Sequence, residues 1–596
     1  MSRPCAAFAS LLLAVLPIRA DAQEIVVGPF LQSATPTEIW VVWETDTGDE
    51  SRVEWGSGEA LDQTSTGGFH EGHDGSRIHE VHLAGLDPET RYVYRVATGG
   101  AQSATWHFVT PPEASAERSF RLVAMSDMQR SSSNPGKYAE VVQDGVIDYV
   151  SVNHGPDMAE EIGLVLAVGD LVQDGWDYPQ WAEDFFAPGA ELMAQVPYYP
   201  VLGNHEDDTP YYFRYFHLPD NGTEGYLEHW WYADYSNLRL IGLDSNFTYW
   251  TEAQTSWLDD VLTEVCGDPD IDFVFAQLHH PAKSELWLPG ESIFTGRIVE
   301  QLEQFTADCD KPSIHFFGHT HGYSRGQSQE HRHLMVNVAV AGGSIDYWGD
   351  SAQRDYPEFA VSTDDWGFVL VEVQAGQSPE FRLRRVSRGD NDVPLDNTVT
   401  DEVVVRLHNA TPSSPAPIGP RGDEVLADCF ALEASAFSDP DGDAHGASQW
   451  QIASDCSQFS LSVYDSWRQD RNLYFEVDTQ AGDDLTDEHV FRLGEERTWC
   501  WRLRYRDDGL AWSDWSEPLT FTTTAFVRTE NLLANPGAED GDSGWVETEG
   551  PLESVHLGDC ETPAAHGGTQ SFSLGGGCAG EVSGVAKQEV DVSDHA

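Results

Sequence analysis

The sequence has few basic residues for its length. Its 596 residues include 33 Lys and Arg against 100 Asp and Glu, which gives a formal net charge of −67. A surface this acidic repels phosphate backbones and anionic lipid headgroups, which excludes nucleic-acid binding as a function class. Most of the charge is expected to form a solvated surface that keeps the protein soluble.

Long apolar runs are also missing. The stretch from Ala6 to Leu16 falls short of the ~18–20 residues that a membrane span requires, and no later stretch reaches that length. Arg3 precedes this stretch, and Ala20-Asp21-Ala22, a small-x-small cleavage site, follows it. Residues 1–22 are therefore predicted to be a secretory signal peptide, and the protein to be secreted, periplasmic or exposed at the cell surface.

Cysteine is scarce. There are eight, and Cys5 lies in the predicted signal peptide. None of the others has zinc-finger spacing, whereas export permits disulfides. Cys266 and Cys309 each follow a helical pattern and precede a strand, so they could meet at one edge of a sheet, and Cys560 and Cys578 are a second candidate pair. The cysteines whose pairing stays open, with one thiol left over, are Cys429, Cys456 and Cys500.

The residue pattern changes several times along the chain. Residues 24–112 alternate apolar and polar residues in short runs, which predicts a fibronectin III-like β-sandwich. From 118 to 385 apolar strands alternate with amphipathic helices, as in an α/β domain. Residues 410–525, which begin with a Pro- and Ser-rich linker, predict a second fibronectin-like sandwich. Residues 528–596 resemble the opening of a carbohydrate-binding jelly roll, expected to be partial because a jelly roll needs two full sheets.

Five short polar motifs each follow a largely apolar run. Runs such as 120–127 and 163–170 are typical of strands covered on both faces, hence parallel and central. Polar residues directly after such strands lie at their carboxyl ends, where open α/β sheets place their ligand sites. These oxygen and imidazole donors together predict a site for two metal ions. The motifs are Asp127-Met128-Gln129, Gly169-Asp170, Gly203-Asn204-His205-Glu206, His279-His280-Pro281 and Gly318-His319-Thr320-His321.

The ordered series of motifs resembles the calcineurin-like metallophosphoesterases, and with the preceding sandwich it is most similar to purple acid phosphatases. The resemblance covers about residues 24–385. It implies a four-layer α/β/β/α sandwich flanked by all-β sandwich domains. It also implies an exported, acid-phosphatase-like hydrolase that cleaves small-molecule phosphoesters by attack of a metal-activated hydroxide.

Carried over residue by residue, the resemblance implies two metal ions, Fe, Zn or Mn, bridged by Asp170. His205 would sit beside the leaving oxygen, where it would donate a proton or stabilise charge, and His280 would contact the phosphate. Tyr323 and Arg325, just after the last motif, would shape or charge the pocket mouth. The implied ligands are Asp127, Gln129, Asp170 and His321 for the first ion and Asp170, Asn204, His279 and His319 for the second.

Two residues depart from the family pattern. Gln129 stands where many relatives carry a histidine, and its amide oxygen is a weaker donor that could instead only hydrogen-bond the backbone. Gln173 stands where purple acid phosphatases carry a tyrosine three residues after the bridging Asp. The tyrosinate-to-iron charge transfer that colours those enzymes is therefore expected to be absent.

Two alternatives stay open. The protein could be an adhesion or glycan-binding protein of the cell surface or matrix. Its phosphatase domain would then have weak catalytic activity because Gln129 binds one of the two metal ions poorly. The segment from Ser438 to Asp443 spaces carboxylates as calcium loops do, which allows structural calcium in the C-terminal β domains. That segment lacks the glutamate of an EF-hand loop, so a turn is the simpler interpretation.

Overall fold

Residues 23–525 are described in full by the computed structural model, which also gives the backbone of four short strands between residues 546 and 587. The predicted signal peptide and the candidate pair Cys560 and Cys578 lie outside the described residues. Within the predicted jelly roll, the four described strands form two antiparallel pairs.

Residues 25–109 form two antiparallel sheets that share one core. Their strands are β1 (Ile25–Thr35), β2 (Glu38–Thr45), β3 (Arg52–Ser57), β4 (Gln63–Thr66), β5 (Gly68–Glu71), β6 (Arg77–Ala84), β7 (Arg91–Thr98), β8 (Ala101–Gln102) and β9 (Trp106–Val109). The sheets have the orders β1-β2-β6-β5 and β4-β3-β7-β8, and β9 also pairs with β7. Ile39, Val41 and Trp43 alternate along β2 and are fully buried, as the sequence pattern predicts.

Thirteen strands follow between residues 120 and 406, and they form the two central sheets. They are β10 (Phe120–Met125), β11 (Leu164–Ala167), β12 (Tyr198–Pro200), β13 (Trp231–Tyr235), β14 (Leu238–Gly242), β15 (Phe273–Gln277), β16 (Ser313–Phe317), β17 (Tyr323–Gln327), β18 (His333–Val338), β19 (Phe359–Thr363), β20 (Trp366–Gln374), β21 (Glu380–Gly389) and β22 (Pro394–Arg406).

The two central sheets pack face to face. The first has the order β12-β11-β10-β20-β21-β22, and the second begins β13-β14-β15-β16-β18-β17-β19. β10, β11 and β12 are mutually parallel, as are β14, β15, β16 and β18. The ring of Phe381 in the first sheet lies 5.2 Å from the rings of both Phe273 and Phe275 in the second. The predicted buried strands therefore build one core between two sheets.

Helices cover the outer faces of the two sheets. Val142 and Val146 belong to the same buried cluster as Phe368 of the first sheet, whereas Leu258 and Leu302 pack with the second sheet. This is the predicted four-layer α/β/β/α sandwich. The helices are α1 (Lys137–Glu140), α2 (Asp148–Asn153), α3 (Met158–Glu161), α4 (Tyr178–Gln180), α5 (Ala187–Met193), α6 (Tyr212–Tyr215), α7 (Glu252–Cys266) and α8 (Ile293–Cys309), with π-helical segments at Val141–Ile147 and Trp181–Phe186.

The long helices α7 and α8 end at the two cysteines that the sequence suggested could meet. Each helix begins with a hydroxyl cap, since Thr251 accepts from the N–H of Gln254 and Ser292 accepts from the N–H of Thr295. A disulfide joins Cys266 to Cys309, which confirms that pair. None of the helices in residues 23–525 has the length and apolar composition that a membrane span requires.

The first central sheet continues beyond residue 385, where the sequence pattern placed the end of the catalytic domain. β22 pairs antiparallel with β21 along most of its length and forms the edge of the sheet. The predicted boundary falls one strand short because β22 alternates polar and apolar residues and exposes one face, unlike the buried strands before it.

Ten further strands lie between residues 417 and 523, and four more lie between residues 546 and 587. They are β23 (Pro417–Gly419), β24 (Glu424–Val425), β25 (Cys429–Ala434), β26 (His445–Ala453), β27 (Tyr464–Gln469), β28 (Leu473–Tyr474), β29 (Val477–Asp478), β30 (Asp487–Phe491), β31 (Thr498–Asp507), β32 (Leu519–Thr523), β33 (Val546–Glu549), β34 (Leu552–His556), β35 (Gln570–Leu574) and β36 (Val585–Lys587).

The chain divides into two compact units, of which the first holds both central sheets. It contains the chain up to Gly419 together with Leu432–Glu488 and Cys500–Leu519. In it, β26 pairs with β27 and β31, and a disulfide joins Cys456 to Cys500. β28 pairs with β19, so that β28 and β29 extend the second central sheet. The buried guanidinium of Arg506 donates to the carbonyls of Ser328 and His331, both at 2.6 Å.

The second unit contains Pro420–Ala431, His489–Trp499 and the chain from Thr520 onward. Within it, Glu424 and Val425 of β24 pair in parallel with Thr522 and Thr523 of β32. Cys429 is an exposed free thiol, so it is the unpaired cysteine among the three that the sequence left open.

Candidate metal centre

All five polar motifs lie at the carboxyl ends of parallel strands. Asp127, Asp170 and Asn204 follow β10, β11 and β12 of the first sheet, and His279 and His319 follow β15 and β16 of the second. Because the sheets pack face to face, strand ends from both meet at one edge. The structure therefore brings the predicted ligands together from two sheets.

Asp127 and His321 face each other in a way that requires a cation between them. Nδ1 of His321 donates to the Ser344 carbonyl at 2.5 Å, which leaves a lone pair on Nε2 when the ring is neutral. That Nε2 lies 3.0 Å from Oδ1 of Asp127, an oxygen that is buried and has no hydrogen-bond donor. Two acceptors at this separation are stabilised by a proton or by a metal ion.

Asp170 and His279 repeat this arrangement. Nδ1 of His279 lies 2.9 Å from the Val168 carbonyl, and Nε2 lies 3.0 Å from Oδ2 of Asp170. Nε2 of His279 is also buried without a hydrogen-bond partner. One ligand atom each from Asp170, His279 and His319 lie within 4.8 Å of one another. The donors are oxygen and imidazole without thiolate, which fits Zn, Fe or Mn.

The electrostatics of the centre favour positive charge. Burial opposes a charge on His279, but the Asp170 carboxylate outweighs burial and raises the pKa of His279 to about 10. Burial likewise opposes a charge on His321, and Asp127 outweighs it and raises the pKa of His321 to about 9. The buried carboxylates thus stabilise a nearby cation strongly, and metal ions held here would replace those protons.

His280 and His319 are held neutral. Burial, followed by the charge on His279, lowers the pKa of each to about 3. The two rings lie 4.4 Å apart between centroids. A neutral imidazole keeps a lone pair for a metal or a single N–H for a substrate oxygen.

Three of the predicted ligands have a strained backbone. Asp127, Asp170 and His319 adopt positive φ values of 58°, 52° and 69°, in the left-handed region that residues other than glycine rarely adopt. Such a conformation costs about 1 kcal/mol for each residue and persists only where the surroundings enforce it. Strain in three of the five motifs indicates that the fold positions these side chains for a function.

Glu206 helps to hold the backbone of Asp170 in its positive-φ conformation. Its buried carboxylate accepts from the backbone N–H of Gly203 at 2.8 Å, Asp170 at 2.9 Å and Leu171 at 2.8 Å, so it ties together the loops after β11 and β12. Sequence reasoning included Glu206 in a motif but gave it no role. Its position two residues after the proposed ligand Asn204 was the available signal.

Gly203 explains why the loop after β12 can pass so close to the centre. An ideal Cβ on Gly203 would lie 2.2 Å from Oδ1 of Asp170. That oxygen already accepts from the N–H of His205 at 2.9 Å. Any side chain at 203 would therefore displace the carboxylate of Asp170.

The loop after β18 holds the other side of the centre. Oδ2 of Asp346 accepts from the N–H of His321 at 2.8 Å, and the carbonyl of Asp127 accepts from the N–H of Gly343 at 2.7 Å. Asp346 and Gly343 belong to no motif that the sequence singled out, because their loop resembles an ordinary turn.

Gln129 lies at the centre, as predicted. It is 2% exposed, and its Nε2 lies 3.2 Å from Nε2 of His321. Its Oε1 is buried and accepts no hydrogen bond. Rotating the amide by 180° exchanges the two atoms and points the oxygen towards His321, where it would join the donor set. The backbone-bonding alternative for Gln129 has no support, since neither amide atom contacts the backbone in hydrogen-bond geometry.

The remaining predicted residues occupy the open side of the centre. Asn204 is exposed, and His205 next to it is partly exposed. Nδ1 of His205 lies 2.6 Å from the Gln173 carbonyl, and its Nε2 lies 3.7 Å from Oδ2 of Asp170. Nδ1 of His280 lies 2.9 Å from Oγ of Ser245. Both histidines predicted to act in catalysis thus have one nitrogen anchored and the other free.

Tyr323 and Arg325 are not at a pocket mouth, so that expectation was wrong. Arg325 is buried and forms a two-point ion pair with Asp401 of β22, at 2.5 and 3.0 Å, and the Tyr323 hydroxyl donates to the same carboxylate at 2.7 Å. Both side chains point from β17 towards the edge strand of the first sheet. Their proximity to the last motif in sequence was misleading because they lie on a strand that leaves the centre.

Two family comparisons match successive parts of the chain. Residues 28–110 match the Purple acid Phosphatase, N-terminal domain, and residues 120–323 match the Calcineurin-like phosphoesterase family. The "Probable inactive purple acid phosphatase 27" of Arabidopsis thaliana is 23% identical over 52% of this chain and 56% of its own length. The chain thus spans little more than half of that relative.

Two further relatives cover more of their own length. The "Fe(3+)-Zn(2+) purple acid phosphatase 12" of Arabidopsis thaliana is 21% identical over 54% of this chain and 71% of its own. The crystallised purple acid phosphatase from yellow lupin (Lupinus luteus) seeds is 18% identical, with a TM-score of 0.50 over 63% of this chain and 74% of that one, which shows a shared fold. Residues 28–110 and 120–323 therefore match, in this order, a purple acid phosphatase N-terminal domain and a calcineurin-like phosphoesterase domain.

Proposed function

We propose that the protein is an exported, dinuclear metal-dependent phosphoesterase that hydrolyses small-molecule phosphate esters. The observation that carries the proposal is the pair of carboxylate–imidazole contacts at 3.0 Å, Asp127 with His321 and Asp170 with His279. In both, the other imidazole nitrogen is engaged by a backbone carbonyl. That pattern orients lone pairs towards a common point, as in metal ligands with an outer hydrogen-bond partner.

The chain's residues divide into two sets around a shared carboxylate. Asp127, Gln129 and His321 would hold one ion, Asn204, His279 and His319 the other, and Asp170 would bridge them. Two ions bound there would supply Lewis-acid chemistry, polarising phosphoryl oxygens and acidifying water. The neutral amides of Gln129 and Asn204 limit the negative charge of the donor set, which keeps such ions electrophilic.

His205 would move a proton to the leaving oxygen. Its Nδ1 proton is fixed by the Gln173 carbonyl, and Nε2 lies on the partly exposed side, 3.7 Å from the bridging carboxylate of Asp170. The carbonyl contact of Nδ1 leaves Nε2 as the ring nitrogen that faces the open side. We assign His205 the role of proton donor, as the family resemblance implies.

His280 would act as a neutral hydrogen-bond donor to the phosphate. Oγ of Ser245 accepts from the backbone N–H of His280 and lies 2.9 Å from Nδ1 of the same ring. The hydroxyl proton of Ser245 can therefore go to Nδ1, which places the single ring proton on Nε2. That N–H is then free for a phosphoryl oxygen.

The test combines metal content with turnover. Purified full-length protein is expected to hold two metal ions per chain by elemental analysis and to release product from a chromogenic phosphomonoester, a phosphodiester or both. Asp170→Asn is expected to abolish turnover because it removes the bridge, whereas Asp174→Asn, four residues on and exposed, is the matched control and should retain it. Two metal ions without any turnover, or turnover that survives Asp170→Asn, would contradict the proposal.

A second candidate is a protein with the fold but weak catalysis, in which the C-terminal β region binds glycan or matrix. It is supported by Gln129 at a position where the resemblance implies histidine, and by a relative whose name includes the words "probable inactive". Gln129→His separates the two candidates. If Gln129 is a ligand, imidazole is a stronger donor and turnover should persist or rise. A large loss would show that the first-ion assignment is wrong.

A further inference from the structure

A second group of oxygen atoms, far from the five motifs in sequence, lies where β22 leads into the C-terminal β region. We propose that Asn409, Asp439 and Asp507, which we call the junction site, hold a calcium ion. The ion would fasten the end of β22 to the loop between β25 and β26 and to the end of β31.

The first observation is a set of buried oxygens without donors. Oδ1 of Asn409, Oδ2 of Asp439 and Oδ2 of Asp507 are each inaccessible to solvent and accept no hydrogen bond. Asp507 as a whole is 1% exposed. A buried acceptor without a partner costs free energy, and a carboxylate costs more than an amide, so three together indicate a cation.

The three segments that carry these oxygens are tied to one another. Nδ2 of Asn409 donates to the other oxygen of Asp507 at 3.0 Å, and the N–H of Ala410 donates to Asp441 at 2.9 Å. The N–H of Ala444 donates to Oδ1 of Asp508 at 3.1 Å. Residues 409–410, 439–444 and 507–508 therefore meet at one place.

The turn that the sequence favoured is present but does not account for the site. Oδ1 of Asp439 accepts from the N–H groups of Asp441 and Asp443, at 2.7 and 3.1 Å, which closes the turn around Gly442. This uses only one of the two oxygens of Asp439. The second is buried and unpartnered, so the turn leaves the carboxylate half satisfied.

The charge balance at the junction also favours a divalent cation. Two nearby guanidinium groups are already engaged, since Arg406 donates to both oxygens of Asp443 and Arg506 donates to backbone carbonyls. Burial, together with Asp443 and Asp439, raises the pKa of Asp507 to about 7. All three donors are carboxylate or amide oxygens, which suits calcium rather than zinc or iron.

The experiment is a calcium titration of the full-length protein purified without calcium, with its catalytic metals present and magnesium in the buffer. Calorimetry should show one calcium ion per chain with Kd between about 10⁻⁶ and 10⁻³ M. The melting temperature should rise by about 5 °C at saturation. Phosphatase activity per folded molecule should stay unchanged, because the site contacts none of the proposed catalytic residues.

Asp439→Asn and Asp507→Asn should each weaken calcium binding at least about tenfold and remove the rise in melting temperature. Asp439 is only partly buried, so its variant remains informative if the Asp507 variant does not fold. Asp484→Asn, in an exposed acidic group, is the matched control and should bind calcium as the wild type does. Asp170→Asn should also bind calcium normally, so that loss of turnover and loss of calcium are distinguishable. No binding by the wild type at 5 mM calcium (about five times the weakest expected Kd), or unchanged binding by Asp439→Asn, would overturn the proposal.

Discussion

Replacing Glu206 by glutamine tests whether the metal centre depends on a residue that touches no metal. Oε2 of Glu206 accepts from the N–H of both Asp170 and Gly203, and Oε1 accepts from the N–H of Leu171 and, at 3.4 Å, from that of Val172. Glutamine has one carbonyl oxygen, so it keeps at best the two bonds of Oε2 and directs its NH₂ group at the N–H groups of Leu171 and Val172. Losing the short bond from Leu171 costs about 1.5–3 kcal/mol, and the long bond from Val172 and the facing donors add to this.

We therefore expect Glu206→Gln to lower the free energy of unfolding by about 3 kcal/mol. Because the Asp170 loop would no longer be held at positive φ, metal affinity should fall by about 10–100-fold, and kcat/KM measured at limiting metal should fall with it. Excess metal should restore much of the activity. Urea unfolding followed by tryptophan fluorescence, metal titration and hydrolysis of a chromogenic phosphomonoester give the three readouts.

Glu488→Gln is the matched control. Glu488 is equally buried and accepts from the Tyr464 hydroxyl, the Ser466 hydroxyl and the Arg468 guanidinium, in the C-terminal β region. The free energy of unfolding of Glu488→Gln should fall by an amount comparable to that of Glu206→Gln, without any change in metal affinity. If Glu206→Gln binds metal and turns over like Glu488→Gln, the idea that Glu206 positions the proposed ligand Asp170 is refuted.

Two further predictions concern Arg325 and Gln173. Asp401→Asn leaves the buried Arg325 guanidinium without its partner and should lower the free energy of unfolding by about 3–5 kcal/mol in urea at pH 7. Burial opposes the charge on Asp401, but Arg325 outweighs burial and lowers the pKa of Asp401. The stability that this ion pair contributes is therefore present above the unfolded pKa of ~3.9 and is lost as the pH falls below it. The free energy of unfolding of Asp401→Asn should thus fall less steeply in acid than that of the wild type, and equal slopes would contradict the assignment. The iron-loaded wild-type protein should lack the visible tyrosinate-to-iron charge-transfer band, and Gln173→Tyr should introduce it. A strong band in the wild type would mean that another tyrosine reaches the iron.

The candidate metal centre could be predicted from the sequence because its proposed ligands follow strands that are largely apolar. Runs such as Leu122–Met125 and Leu164–Ala167 are buried on both faces, and their carboxyl ends can only meet at one edge. A ligand set of this kind depends on strand order and direction rather than on side-chain packing. The disulfide between Cys266 and Cys309 was predictable for the same reason, since both residues end helices that return to the same sheet.

What the sequence did not predict depends on contacts between distant segments. Nothing near Arg325 shows that its partner is Asp401, 76 residues later on an edge strand. Asp346 supports His321 from a loop without a recognisable pattern. The junction site was visible only as the spacing of Asp439, Asp441 and Asp443, because its other oxygens come from the ends of two strands far apart in the chain.

The pairing of β28 with β19 affects how shortened forms of this protein should be interpreted. A chain cut near residue 410 would lose the strand beside β19 and the guanidinium of Arg506 that satisfies the carbonyls of Ser328 and His331. Such a truncation would unmask a sheet edge prone to self-association. An inactive truncated enzyme would then report failed folding, and it would say nothing about whether the removed portion recognises sugars.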